Sequence, residues 1–223
     1  MDGVKAIVVM KRPPGTSVED FRRDLARTEA AAADIPGVRR YMRSLTLDSG
    51  YRKREPIYDA VDELWFDDET AAREALASEQ FDALRENSGA DPGSWGVFLV
   101  TDHLAKDGPI SPDGVKSFEF VTRRPDLSIA EFQRYWREVH GPLAVKIDVL
   151  RHYVQSHALA SEYAEGATPV WEGSAITWFD DLDAMRVSGN SAELASTRAD
   201  EKNFLAAPLE LPFIIVTERK LVG

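Results

Sequence analysis

Val4-Lys5-Ala6-Ile7-Val8-Val9-Met10-Lys11-Arg12-Pro13-Pro14-Gly15-Thr16-Ser17-Val18-Glu19-Asp20-Phe21 decides the fold, because the chain contains this stretch twice. It aligns without a gap on residues 115–132, pairing Arg12 with Arg123, Pro14 with Pro125, Ser17 with Ser128 and Phe21 with Phe132. Further on, Pro56-Ile57-Tyr58-Asp59 leading to Trp65-Phe66-Asp67-Asp68 matches Pro169-Val170-Trp171-Glu172 leading to Trp178-Phe179-Asp180-Asp181. The chain is an internal duplication. Within each copy a short β-branched run ends in a proline turn, and a serine then offers an oxygen to cap a helix.

Strands are expected at Val4 to Met10, Val38 to Leu47, Ile57 to Phe66 and Trp95 to Thr101, with helices after Ser17 and over Asp67 to Arg85. Ala30 to Ala33 should prolong the first helix until Pro36-Gly37 stops it. The second copy repeats the order at Val115 to Val121, Ser128 to Ile147, Leu150 to Ala158, Val170 to Phe179, Leu182 to Lys202 and Phe213 to Leu221. Strand, helix, strand, strand, helix, strand is the split-βαβ ferredoxin-like arrangement. The expected class is therefore α+β: two βαββαβ repeats, residues 1–107 and 108–223, joined by a polar linker over His103 to Gly114. Such a sheet has helices on one face and needs cover on the other, so the two sheets are expected to face one another as an α+β barrel, a pseudo-dimer in one chain.

Composition narrows the function. A net charge of −11 repels phosphate backbones and anionic membrane surfaces, so neither nucleic acid nor membrane is expected as a partner. The basic residues Arg39, Arg40, Arg43 and Arg52-Lys53-Arg54 read as a solvated strand edge and loop. With no cysteine there is no disulfide, thiolate nucleophile or cysteine metal site. No apolar stretch is long enough to span a bilayer, and the chain enters a strand at once, so a cytoplasmic protein is expected. There is no Gly-rich phosphate loop, no Gly-x-Ser-x-Gly elbow and no His-Glu-x-x-His, so no cofactor is expected. Asp67-Asp68 and Asp180-Asp181 lack partners at metal-ligand spacing, and no metal is expected either.

The candidate chemistry lies in the second copy. On the helix from Ser128, residues Phe132, Trp136, Val139, His140 and Leu143 share one stripe, which turns His140 inward beside Trp136. A buried histidine there would be neutral and able to take a proton near neutral pH. It could equally close the helix end before Gly141-Pro142. In the next strand, alternation puts Tyr153, Gln155 and His157 on one face and His152, Val154 and Ser156 on the other. If the first face looks toward the helix, His140 and His157 could form an acid/base pair, with Tyr153 or Gln155 orienting a substrate oxygen. The first copy keeps Tyr41 and Ser44 but has Leu45 for His157, and carries Glu29 and alanines where the second has His140.

Tyr135-Trp136-Arg137-Glu138-Val139-His140-Gly141-Pro142-Leu143, followed by Arg151-His152-Tyr153-Val154-Gln155-Ser156-His157, resembles the EthD-type members of the dimeric α+β barrel proteins. The resemblance implies a cleft for an apolar, aromatic or polyketide-like molecule and cofactor-free dehydratase, cyclase or isomerase chemistry. It matches His140 to the family's helix histidine and His157 to its strand histidine. His140, His157 and Tyr153 are thus the expected catalytic residues, with Trp136, Gln155, Phe132 and Trp171 lining the substrate. A non-catalytic binder of an apolar molecule, using the same aromatic pocket, is the alternative, and an oligomer-forming scaffold with no cavity is a third reading. The fused pair could dimerise again.

Overall fold

The computed structural model describes residues 3–52 and 54–223, so Lys53 of the basic cluster lies outside the described residues. The chain divides into two compact units. The first comprises the residues up to Thr101 together with Glu218–Gly223, and the second comprises Asp102–Thr217.

In the first unit β1 (Val4–Met10) is central, antiparallel to β3 (Ala60–Phe66) on one side and β4 (Gly96–Lys106) on the other. β3 pairs in turn with β2 (Arg40–Thr46). All seven residues of β1 are buried, including Lys5, which pairs with the buried Glu63 at 2.9 Å, so the strand is covered on both faces. The second unit repeats the pattern, with β5 (Val115–Val121) between β7 (Gly173–Phe179) and β8 (Phe213–Val222), and β6 (Leu150–Ala158) beyond β7. Each unit is the ferredoxin-like module that the duplication predicts.

The helices are shorter than the periodicity suggests. α1 (Val18–Ala26) stops before the alanine run, and Glu29–Asp34 forms a 3₁₀ turn. The cause is local, because the Leu25 carbonyl accepts from the Thr28 backbone at 3.1 Å and the Thr28 hydroxyl at 2.7 Å. The Arg43 guanidinium also donates to it, at 2.9 Å. Residues 67–85 form two helices, α2 (Glu69–Leu76) and α3 (Glu79–Asn87), because Ser78 caps a second N-terminus by accepting from the Phe81 amide.

α4 (Ile129–Tyr135) and α5 (Gly141–Ala144) lie in the second unit, as do α6 (Leu182–Ser188) and α7 (Ala192–Asp200). Ser191 repeats the Ser78 break, and Asp68 and Asp181 cap α2 and α6 alike. The linker expected from His103 begins later, since β4 runs to Lys106, and residues 102–106 belong to the second unit. Arg43 is a further correction: it is buried, ion-paired to the buried Asp62, whereas Arg39 and Arg40 are exposed as expected. No helix among the described residues is long and apolar enough to cross a membrane.

Candidate functional site

The site starts at a helix whose beginning is strongly defined. Ser128 Oγ accepts from the Glu131 amide and the Glu131 carboxylate accepts from the Ser128 amide, a capping box that fixes the entry angle of α4. Phe132 and Trp136 are buried on its inner face. Over Trp136–His140 the helix widens into a single π turn, in which the Gly141 amide donates to the Trp136 carbonyl. That carbonyl also accepts from Gln155 Nε2 at 3.0 Å. Gly141 permits this, because a Cβ there would stand 2.7 Å from Gln155 Nε2. Gly141 is therefore a close-approach glycine inside the helix, with φ −52°, and not its cap. The wider turn also corrects the expected stripe: His140 is buried, but Val139 is rotated out to 45% exposure.

β6 supplies the facing network. Tyr153, Gln155 and His157 point toward α4, as the alternation predicts. The Trp136 carbonyl can only accept, so the Gln155 amide nitrogen must face it and Oε1 must face His157. His157 Nε2, 3.2 Å from that oxygen, is then the donor. Its Nδ1 is buried with no hydrogen-bond partner among the described residues. Burial depresses the His157 pKa to about 3, with His103 and Arg137 adding to it, and the ring is neutral. The Tyr153 oxygen accepts from Trp136 Nε1 at 3.0 Å and from Gln155 Nε2 at 3.3 Å. With both acceptor positions filled, the phenol's own hydrogen is left to donate elsewhere. Burial raises the Tyr153 pKa, which keeps that hydrogen in place.

His140 is paired with Asp200, at the end of α7, not with His157. Its Nδ1 lies 3.0 Å from Asp200 Oδ2. Asp200 Oδ1 accepts from Tyr135 at 2.7 Å and Asn203 at 2.8 Å. Burial would raise the Asp200 pKa, but these hydrogen bonds and that from His140 hold it below the usual carboxylate range. The Asp200 carboxylate therefore accepts the hydrogen bond from Nδ1–H, leaving Nε2 of His140 with a free lone pair. Burial lowers the His140 pKa more than Asp200 raises it, so the ring is neutral near pH 7.

Between this helix, the sheet and α6–α7 lies a cavity of about 210 Å³. His140 and Tyr153 line it, among Ala144, Ile147, Leu150 and Met185. Its polar groups include the Ser117–Thr177 hydroxyl pair, 2.6 Å apart, Ser188, Thr197 and the cluster Glu119, Arg198 and Glu201. Arg198 bonds Glu119 at 2.6 and 3.2 Å and Glu201 at 2.8 Å. The scaffold reading expects no such space.

Of the expected site residues, the structure brings His140 and Tyr153 to this cavity. Trp136, Gln155 and His157 form the buried layer behind Tyr153, with the Trp136 and His157 rings 4.6 Å apart. Phe132 packs against Trp136 and Phe204, and Trp171 packs 5.5 Å from Phe120; neither is among the residues lining the cavity. Asp200, Glu119, Arg198 and Glu201 escape a reading that looks for histidines. The duplication marks three of them, since Glu119 stands where the first copy has Val8, Asp200 where it has Asn87 and Glu201 where it has Ser88, whereas Arg198 matches Arg85. Among the described residues no group of three or more His, Asp or Glu is arranged to hold a metal ion.

The site is thus a neutral, carboxylate-oriented histidine beside a cavity of a ferredoxin-like module, the concave and mostly apolar setting in which small-molecule sites occur. The family model for the EthD domain matches residues 124–208, within the second repeat. No protein of curated function matches the sequence. Among solved structures the chain is similar to an anthrone oxidase-like protein, at 12% identity and TM-score 0.71, covering 100% of this chain and 95% of that one. It is also similar to a putative monooxygenase from Lactobacillus acidophilus, at 11% identity and TM-score 0.58, covering 98% and 94%. A putative chlorite dismutase is similar at 12% identity and TM-score 0.57, covering 99% and 96%. At these identities the likeness shows the fold, the α+β barrel class.

Proposed function

We propose that the protein is an enzyme that moves a proton on a small, uncharged, mostly apolar carbonyl compound, with His140 as the base. The observation that carries this is the His140–Asp200 hydrogen bond, which commits Nδ1 to the carboxylate and frees Nε2 at a cavity it shares with Tyr153. Nε2 takes a proton from the carbon beside the carbonyl. As charge develops on the carbonyl oxygen, the Tyr153 hydroxyl donates to it, its own oxygen already held by Trp136 and Gln155. His157 holds Gln155 and stays neutral. Base catalysis of this kind contributes about 100- to 10,000-fold.

Proton transfer next to a carbonyl is the first step of dehydration, isomerisation and cyclisation, which supports a lyase or isomerase of aromatic or polyketide-like compounds. The name of the anthrone oxidase-like neighbour agrees with the substrate class, since anthrone is an aryl ketone. The test needs no knowledge of the natural substrate. Exchange of the α-hydrogens of tetralone for deuterium, followed by NMR, should be accelerated by the protein and lost in His140→Ala, with thermal melting little changed. Exchange that persists in His140→Ala rules out the base. Tetralone binding without any exchange favours the alternative, a non-catalytic binding protein.

A further inference from the structure

Glu201 lines the cavity, and the proton-transfer reading leaves it unused. It sits on the turn that follows α7, 3% exposed. Its Oε1 accepts from Arg198, and its Oε2 is buried with no hydrogen-bond partner among the described residues. A charged oxygen left in that state is costly, whereas a protonated one costs far less and holds a hydrogen to donate. The groups around it agree. Arg198 from α7 divides its single charge between Glu201 and Glu119 of β5. The Asp200 carboxylate is turned to His140 and Tyr135. His140 from the π turn and Tyr153 from β6 are neutral, so no second cation is present among the cavity-lining residues to hold Glu201 ionised. Burial, helped by Glu119 and opposed by Arg198, pushes the Glu201 pKa up to about 7.

We propose that Glu201 is the general acid of this cavity and that its reaction is the dehydration of an uncharged β-hydroxy ketone of one or two rings. This rests on the proton-transfer reading. His140 Nε2 removes the hydrogen α to the carbonyl, the bond from the β carbon to its hydroxyl breaks, and the Oε2 hydrogen passes to the leaving oxygen. Water departs and a carbon–carbon double bond remains. The site is left with an imidazolium and a carboxylate, and transfer of the imidazolium proton to Glu201 through water restores both. The volume sets the size: a cavity of about 150 Å³ holds benzene, so about 210 Å³ takes one or two rings. The arginine of the cavity is already shared between Glu119 and Glu201, so no cation among the cavity-lining residues is left to hold an anion.

The experiment gives the full chain two probes. Tetralone reports α-hydrogen exchange, and β-hydroxytetralone, which loses water to give naphthol, reports dehydration. In Glu201→Gln, naphthol formation should fall about 100-fold or more, with KM little changed and tetralone exchange retained. Wild-type kcat should fall as pH rises through about 7, and Glu201→Asp, which keeps an acid, should restore part of the rate. Melting curves of both variants report folding. Wild-type dehydration by Glu201→Gln, or a wild type that exchanges tetralone but forms no naphthol, overturns the assignment of Glu201 alone. A wild type without exchange overturns the base as well.

Discussion

On the third strand of each repeat, the residue turned toward the helices is Asp62 in the first unit and Ala175 in the second, and around it the two units have filled the same space in opposite ways. In the first unit Asp62 holds Arg43 at 2.6 and 2.9 Å. Arg43 reaches on to the Leu25 carbonyl at 2.9 Å, the Thr28 hydroxyl at 3.0 Å and Tyr41 at 2.9 Å. In the second unit Gln155 replaces Arg43, and the positions of Leu64, Phe81 and Leu84 carry Thr177, Leu194 and Thr197. Each of these changes shortens a side chain and opens the cavity, while the longer Glu119 and Glu201 replace Val8 and Ser88 in its wall.

What stays constant is equally informative. Ser17 and Ser128 cap the first helices, and Asp59 and Glu172 accept from the backbones of Arg12 and Arg123 at 2.8 and 2.6 Å. The backbone frame is kept while its filling is exchanged. At this place in the fold one unit is filled by a buried ion pair, and the other is hollow.

The largest expected effect breaks the packed side of this comparison. Asp62→Ala leaves the Arg43 guanidinium buried without its carboxylate and should cost about 3–5 kcal/mol of stability. The double change Arg43→Gln with Asp62→Ala, which copies the second unit, should cost less than Asp62→Ala alone. Thermal melts of both variants measure this, and a single change costing less than about 1 kcal/mol would show that the pair is dispensable.

The next effect sharpens the hollow side. His157 titrates near 6.5 when unfolded and at about 3 when folded. The unfolded chain therefore binds the extra proton in that window, and stability is fully present above about pH 6.5 and lost as pH falls toward 3, with a slope of up to about 1.4 kcal/mol per pH unit. Denaturant melts across this range should show the loss, and His157→Leu should flatten it. An unchanged slope in that variant would place the titration elsewhere.

The smallest effect returns one residue to its first-copy identity. Thr197→Leu should change stability by less than about 1.5 kcal/mol, since it adds volume to a cavity. Tetralone affinity should drop about tenfold, measured by calorimetry; unaltered affinity would mean that the ligand lies away from α7.

The duplication made the modules legible, because burial on one helix stripe or one strand face leaves a period in the residues. It made the starts of the helices after Ser17 and Ser128 legible too, since caps are local. The interior breaks at Ser78 and Ser191 carry the same local signal but stand inside runs that look continuous. Within the site, Tyr153, Gln155 and His157 share a face as strand alternation demands. The π turn was not legible: it depends on Gln155 reaching the Trp136 carbonyl past Gly141, a contact between residues 19 apart in sequence.

The amino-acid sequence by itself determined the two repeats, their strand and helix order, the inward turn of His140 and the loss of both histidines from the first copy. These follow from period, capping and direct comparison of one copy with the other, all of which are local in the chain. The tertiary structure alone decided that His140 pairs with Asp200 and not with His157, that Arg43 is core, and that a hollow stands beside Tyr153 with Glu201 in its wall. Those outcomes depend on which distant side chains meet and on how much space they leave, and neither is written in the spacing of residues along one strand or helix.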